Sequence, residues 1–329
     1  MKILLTTTSF QDTPGAHHDL LKQTGWEIIT ARGPLNEADT LALVGDVDGY
    51  ICGDDAITRQ VLEKARPKLK VLSKYGIGVD KIDVKSCTEF GIPLLFTPGV
   101  NHTTVAEHNF MLLLALEKNF LFHTDSTRSG DAKTNWKRKT GHELLDKTIG
   151  IIGLGRIGKE VAIRSRAFGM NVIANDNHFD EAFAHQHGVK RANTLDEIFA
   201  VSDYISLHTN LTPETRDLIC AKNIAKMKPG VLILNCARGE IVHTADLVAA
   251  LKTGQVGGYG TDVLDQEPPS ADHPLLKLPN VVCTPHVGSR TYESVVRQAN
   301  CAVKNLILAM NGEKTIAQVN PGVAYAPKA

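Results

Sequence analysis

The 329-residue sequence has no net charge, no long hydrophobic run and no closely paired cysteines. Lys plus Arg and Asp plus Glu both number 36, so the overall field favours neither nucleic acid nor an anionic membrane. Any anion site must be local. The N-terminal MKILLTTTSF offers only three consecutive apolar residues before its threonines, too few for a signal segment, and no later stretch approaches a membrane span. Cys52, Cys87, Cys220, Cys236, Cys283 and Cys301 are scattered without a CxxC pair, and read as reduced, mostly buried thiols of a cytoplasmic protein. Among the 13 histidines, His17–His18 and His185-x-His187 lack a supporting cluster of Cys or carboxylates. They read as surface residues, and no metal is expected. Internal repeats and low-complexity tracts are also missing.

What is present is an alternation. Short β-branched runs alternate with helix-length amphipathic stretches from end to end, as a parallel sheet flanked by helices requires. One strand series is KILLTT (2–7), WEIIT (26–30), GYIC (49–52), KVLS (70–73) and IPLLF (92–96). A second is TIGIIG (148–153), NVIAND (171–176), YISLH (204–208), VLILN (231–235), GYGTDV (258–263) and NVVCT (280–284). Two long helical patterns, 104–119 and 291–310, interrupt the series; the first is apolar over most of its circumference and the second stops at Asn311–Gly312. They would carry the chain into and out of an inserted domain. The expected organisation is a discontinuous first domain, 1–99 with 288–329, and an inserted domain over 100–287.

The inserted stretch carries the most legible motif. A strand runs directly into Gly153-x-Gly155-x-x-Gly158, followed by a helix and a second strand ending at Asp176. The first glycine permits a tight turn, the second lets a pyrophosphate approach the backbone, and the third lets the helix pack on the strand. The helix N-terminus offers N–H groups to phosphate, and Asp176 stands where a ribose hydroxyl should be. A carboxylate there repels an added 2′-phosphate, so NAD is favoured over NADP.

A second constellation follows. Arg238, Asp262, Glu267 and His286 all lie at or just past the carboxyl ends of expected strands, the ligand side of such sheets. Three have a bland alternative: a soluble strand end for Arg238, a solvated loop carboxylate for Glu267, a turn residue for His286. Together they match one chemistry. Hydride transfer to or from a 2-hydroxy acid needs a proton carrier, which histidine's ordinary pKa suits. It needs a carboxylate to orient that ring, and a planar cation to clamp the substrate carboxylate.

The segments GLGRIGKEVA, MKPGVLILNCARGEIV, GTDVLDQEPP and TPHVGS resemble the D-isomer-specific 2-hydroxyacid dehydrogenases, most of all the D-3-phosphoglycerate dehydrogenase branch, over nearly the whole chain. The resemblance implies an α/β architecture of two Rossmann-like doubly wound domains, a flavodoxin-like substrate-binding domain and an inserted NAD-binding domain, with the substrate cleft between them. It implies Arg238, Glu267 and His286 as the catalytic set. Gly153, Gly155, Arg156, Ile157, Gly158, Asp176, His208, Cys236, Ala237, Asp262 and Gly288 become expected cofactor contacts. Lys74, Tyr75, Gly76, Ile77, Gly78 and Asn101 become expected substrate contacts, largely through backbone N–H groups.

Three positions depart from the family pattern: Lys74 where many phosphoglycerate enzymes have Arg, Asn210 for a common Pro, and His102 for a small residue. Lys keeps a positive charge but loses the bidentate fork for phosphate. His102 either adds polarity or a proton to the substrate cleft or fills it. The leading expectation is therefore an NAD-dependent oxidoreductase acting on a D-2-hydroxy acid, with D-3-phosphoglycerate first. The alternatives are a glyoxylate or hydroxypyruvate reductase and a non-enzymatic NAD(H)-sensing binding protein of the same fold. The run RSGDAKTNWKRKTG (128–141), with five cations and Trp136, is by itself either a solvated basic loop or an anchor; the resemblance implies an arm that extends across a dimer partner, hence an expected homodimer through the NAD-binding domain. The chain stops soon after the second long helix, so the regulatory domains of longer relatives, and feedback by a distal effector, are not expected.

Overall fold

The structure is a computed structural model that describes residues 1–129 and 136–325. The chain divides into two compact units, residues 1–101 with 290–329, and residues 102–289.

In the first unit five parallel strands, β1 (Lys2–Leu5), β2 (Glu27–Thr30), β3 (Gly49–Cys52), β4 (Val71–Lys74) and β5 (Leu94–Leu95), lie in the order β2-β1-β3-β4-β5. This is the flavodoxin-like order. β3 and β4 are buried along their whole length, as a sheet covered on both sides demands. The returning helix Tyr292–Met310, capped by the Thr291 hydroxyl, packs Ala299, Ala302, Val303 and Leu306 into this core. Ser73 Oγ donates to the Ala302 carbonyl (2.8 Å) and Asn305 Nδ2 to the Phe96 carbonyl (2.9 Å), tying the end of the chain to its beginning. His17, expected at the surface, is fully buried instead. Its ring meets Phe10 edge-on and its Nε2 bonds the Phe10 carbonyl (3.1 Å), so the imidazole serves as a core aromatic. Burial lowers its pKa.

In the second unit seven parallel strands, β6 (Thr148–Ile152), β7 (Asn171–Asn175), β8 (Val189–Arg191), β9 (Tyr204–Leu207), β10 (Val231–Asn235), β11 (Val256–Thr261) and β12 (Val281–Cys283), run in the order β12-β11-β10-β9-β6-β7-β8. The order reverses at β6 and β9, which are neighbours in the sheet though not in sequence. Such a switch point opens a crevice beyond the strands' carboxyl ends. β8 is an element the hydrophobic pattern does not show, because two of its three residues, Lys190 and Arg191, are exposed. Tyr204, Tyr259 and Phe199 are the largest fully buried side chains of this unit, each contributing roughly 2–3 kcal/mol through removal from water. Among the described residues no helix is long and apolar enough to cross a membrane, no His/Cys/Asp/Glu cluster suits a metal ion, and all six cysteines are free.

Candidate active site

The glycine loop lies at the end of β6, on one side of the switch point. Gly153 has φ +96, and a Cβ there would strike the His208 carbonyl oxygen at 2.5 Å; the turn and the close passage of the β9 loop both need glycine. At Gly158 a Cβ would sit 2.1 Å from the Gly153 carbonyl oxygen, so glycine is what lets the helix Arg156–Ala167 start against the loop. Gly155 differs: a Cβ there would meet nothing within 4 Å. The absent side chain clears open space over a helix N-terminus that no side chain caps, the arrangement an incoming pyrophosphate fits. Arg156 is exposed beside it and Ile157 half-buried.

Asp176, just past β7, accepts from the Leu154 N–H (2.6 Å) and the His178 N–H (2.6 Å). The first bond ties the carboxylate to the glycine loop. His208, just past β9, has its Nε2 2.7 Å from Ser206 Oγ, while its Nδ1 is buried without a partner. Burial drives its pKa down to about 3, so the ring is neutral. An uncapped helix start, a glycine that leaves room, and a buried unpartnered ring nitrogen beside them together fit a dinucleotide.

The second half of the site is built by three loops. After β10, the buried Asn235 amide donates to the Arg238 carbonyl (2.8 Å) and accepts from the Ala237 N–H (2.9 Å), pinning the turn that carries Cys236, Ala237 and Arg238. The Cys236 thiol is pushed well up by burial and the nearby Asp262 charge, so it stays protonated. Arg238 is half-buried, and its Nη1 donates to the Ala237 carbonyl (2.7 Å). A Cβ on Gly239 would lie 2.0 Å from the Leu264 carbonyl carbon. The missing side chain brings the Arg238 turn directly against the loop after β11.

That loop carries Glu267. Its Oε1 accepts from the Leu264 N–H (3.0 Å), while Oε2 lies 2.7 Å from His286 Nδ1. A carboxylate can only accept, so Nδ1 carries the proton and Nε2 is the ring nitrogen placed for exchange. Two residues back from Glu267, Asp265 takes hydrogen bonds from the buried His273 Nε2 (2.9 Å) and Thr244 Oγ1 (2.7 Å). These bonds fix the start of the loop.

The third loop follows β12. His286 adopts φ +51, rare for a non-glycine residue. Its N–H reaches the Asp262 carbonyl (2.9 Å), and the Val287 and Gly288 N–H groups reach the two oxygens of the buried Asp262 carboxylate (2.9 and 2.6 Å). Thr284 Oγ1 donates to the same carboxylate (2.6 Å). Burial alone would raise the Asp262 pKa, but bonds from His108, Thr284, Val287 and Gly288 outweigh it and hold the group ionised. Asp262 and Gly288, both expected among the cofactor contacts, are thus bonded to one another, and the carboxylate anchors the turn that presents His286.

The expected substrate residues lie in the first unit. Two of the N–H groups expected to bind substrate are engaged within that unit: Tyr75 donates to the Cys52 carbonyl (2.9 Å) and Gly76 to Thr97 Oγ1 (2.9 Å). Tyr75 is itself buried, in contact with Ser9. The remaining N–H groups of the set are those of Ile77 and Gly78. Lys74 is buried, its ammonium donating to the Gly53 carbonyl and to Asp54 (both 2.6 Å). Asn101 holds a buried, unpartnered Oδ1. In the second unit His102 has its Nε2 4.0 Å from Glu160 and a buried, unpartnered Nδ1. Asn210 is exposed. Of the basic run, 130–135 lie outside the described residues, Lys133 among them; Trp136 is 67% exposed, with Arg138 over its ring.

Sequence reasoning did not single out His108, Thr284, Asn235, Asp265 or His273. His108, Thr284 and Asp265 bond partners in other segments, as does Asn235 through the Tyr259 hydroxyl (3.1 Å), and His273 bonds Asp265 within one loop; Asn235, the last residue of β10, reads as the end of a strand.

Comparison with known proteins places this geometry. The sequence model of the family described as D-isomer specific 2-hydroxyacid dehydrogenase, NAD binding domain, matches residues 110–288. D-3-phosphoglycerate dehydrogenase of Methanocaldococcus jannaschii is 38% identical over 316 residues, covering 95% of this chain and 58% of that protein. Glyoxylate reductase of Korarchaeum cryptofilum is 39% identical over 261 residues, covering 79% of this chain and 78% of the reductase. The crystal structure of the TT0316 protein from Thermus thermophilus superposes with a TM-score of 0.87 at 36% identity, covering 97% of this chain and all of that one. The chain thus spans little more than half of the phosphoglycerate relative and most of the reductase.

Proposed function

The chain belongs to the D-isomer specific 2-hydroxyacid dehydrogenase family, and from that premise we propose that it interconverts a D-2-hydroxy acid and its 2-oxo acid with NAD(H). The observation that carries the proposal is the His286–Glu267 pair at 2.7 Å, on loops that also bring Arg238 to the ends of the same sheet.

The nicotinamide, when bound, supplies the hydride acceptor or donor. Everything else falls to side chains. The uncapped N-terminus of the Arg156–Ala167 helix and the open space at Gly155 would hold the pyrophosphate, Gly153 and Gly158 shape the loop that allows it, and Asp176 would take the ribose hydroxyls. Arg238 clamps the substrate carboxylate through two parallel hydrogen bonds. His286 Nε2 gives its proton to the oxygen that becomes the alcohol in reduction, and takes it back in oxidation. Glu267 keeps Nδ1 protonated and the ring oriented. In the first unit the Ile77 and Gly78 N–H groups are assigned to an anion of the substrate.

Two substrate classes remain in play. D-3-phosphoglycerate is supported by the M. jannaschii relative, and glyoxylate or hydroxypyruvate by the K. cryptofilum one. Lys74 favours the second, because its ammonium already serves Asp54 and Gly53. A non-enzymatic NAD(H)-sensing protein is disfavoured by the His286–Glu267 pair, which cofactor binding alone does not require. The test is NADH consumption against glyoxylate, hydroxypyruvate and phosphohydroxypyruvate. Turnover of any of them supports the enzyme, while tight NADH binding without turnover favours the sensor.

The partner we propose is a second copy of the chain. The helix Phe120–Arg128 buries none of its residues, and Phe120, Leu121 and Trp136 are 59%, 49% and 67% exposed, surface that a dimer would cover.

A further inference from the structure

We infer that His108 is a positioning residue for His286, acting through Thr284 and Asp262; the inference rests on the reading of His286 as the proton carrier. His108 lies on the helix His102–Glu117, which crosses the sheet far from 286 in sequence. Its Nε2 is 2.8 Å from Thr284 Oγ1 and 3.4 Å from Asp262 Oδ1, and its side chain is only 12% exposed. A threonine hydroxyl has one proton. The short bond from Thr284 Oγ1 to the Asp262 carboxylate (2.6 Å) uses it, so Thr284 accepts from His108 and Nε2 must carry hydrogen. The direction of every bond in the chain His108, Thr284, Asp262 is therefore fixed.

The packing of the helix on β11 sets this contact in register. A Cβ on Gly258 would touch Leu116 (3.2 Å), and one on Gly260 would touch the Cβ of Leu112 (3.0 Å). Glycine at both positions lets the helix lie directly on the strand. Four helix residues rise about 6 Å and two strand residues about 6.6 Å, so the two elements keep step in opposite directions. Leu116 lies over Gly258, Leu112 over Gly260, and His108 arrives over Asp262. The same ring also meets Gly288, where a Cβ would be 3.5 Å from His108 Cδ2.

Asp262 is the residue this arrangement serves. Its carbonyl and both carboxylate oxygens hold three successive N–H groups, those of His286, Val287 and Gly288. Those bonds impose the left-handed conformation at His286 that turns its ring toward Glu267. Asp262, Val287 and Gly288 all belong to the strand-end loops themselves, whereas His108 approaches from a helix. It ties a buried carboxylate to a rigid element, and without it Thr284 and Asp262 lose the donor that resists their rotation. Second-layer bonds of this kind orient groups that do chemistry.

The test compares His108→Leu, which fills the space without a donor, with His108→Gln, whose amide Nε2 can replace the lost N–H. Three quantities are measured on the full chain: kcat for whichever of glyoxylate, hydroxypyruvate and phosphohydroxypyruvate is turned over fastest, Kd for NADH, and the downfield proton NMR signal of His286 Nδ1–H, assigned by its loss in Glu267→Gln. His108→Leu should lower kcat by about tenfold or more with NADH Kd within about twofold, and should lose or broaden the signal; His108→Gln should keep kcat within about threefold and retain the signal. Unchanged kcat and signal in His108→Leu would overturn the inference, as would equal impairment of both variants. So would a loss of NADH affinity large enough to explain the fall in activity. The NMR comparison needs no substrate. If none of the three acids is turned over, the assignment of His286 fails, while the effect of His108 on its ring is still read.

Discussion

Glu267 divides its carboxylate between two tasks, one oxygen holding the Leu264 N–H and the other the ring of His286. An anion in contact with the ring favours its protonated form, the form that gives a proton in reduction. Reductive kcat/KM should persist at low pH and fall as the ring loses its proton. In Glu267→Gln that fall should begin at lower pH, and oxidation should extend to lower pH. Superimposable pH–rate profiles of the two proteins, with chemistry rate-limiting, would remove Glu267 from the mechanism. Arg238→Lys keeps charge but not the planar fork; kcat/KM should drop on the order of 10²-fold, about 3 kcal/mol of transition-state stabilisation, with NADH affinity by calorimetry little changed. Asp176→Ala should narrow the preference for NADH over NADPH, measured as the ratio of the two kcat/KM values. Arg238, Glu267 and His286 were legible as candidates because each stands within a few residues of a strand end. His108 was not. A histidine in an apolar helix reads as core, and its partner Thr284 is 176 residues away.

The glycine loop gives an element-scale test, since two glycines three residues apart have opposite surroundings. Gly158→Ala drives a Cβ against the Gly153 carbonyl and should lower the unfolding midpoint, with a cost of about 1–3 kcal/mol typical of overpacking. Gly155→Ala places a methyl in open space at an ordinary φ of −73, so stability should fall by no more than the roughly 1 kcal/mol that alanine costs at an N-cap, while NADH affinity falls. Thermal melts and NADH titrations of both variants separate the two roles; unchanged NADH affinity in Gly155→Ala would mean the space there is not kept for a ligand. The eleven expected strands all have counterparts in the two sheets, because short apolar, β-branched runs announce themselves even where, as in β2 and β12, they are only partly buried. β8 escaped as a polar edge strand. His17 was misplaced for the converse reason: a polar residue type hid a packing role that only the tertiary contacts with Phe10 reveal.

Each unit also holds a histidine that burial keeps neutral, His17 in the first and His208 in the second. An unfolded chain takes up protons on such rings near pH 6.5, before the folded one does. Stability should therefore decline as pH falls below that value, and for His208 the decline continues to about 3. The lowered carboxyls of Asp262 and Asp265 add further loss only as pH drops into the carboxylate range, where the His208 decline is ending. Urea midpoints of His208→Gln should show a shallower acid slope than wild type between pH 6.5 and 4.5; parallel slopes would contradict the burial of a neutral ring. Self-association belongs to the same scale. Sedimentation should show a dimer, and Trp136→Glu should weaken it if the exposed face on the second unit is the contact.

The central claim is that His286, oriented by Glu267, moves the proton of an NAD-linked 2-oxo acid reduction. NADH absorbance is followed with glyoxylate, hydroxypyruvate and phosphohydroxypyruvate, for wild type and His286→Ala side by side. The expected result is turnover of at least one acid by the wild type and a fall of about 10²-fold or more in the variant, the scale of a lost general acid. Turnover that survives the loss of His286 would contradict the account.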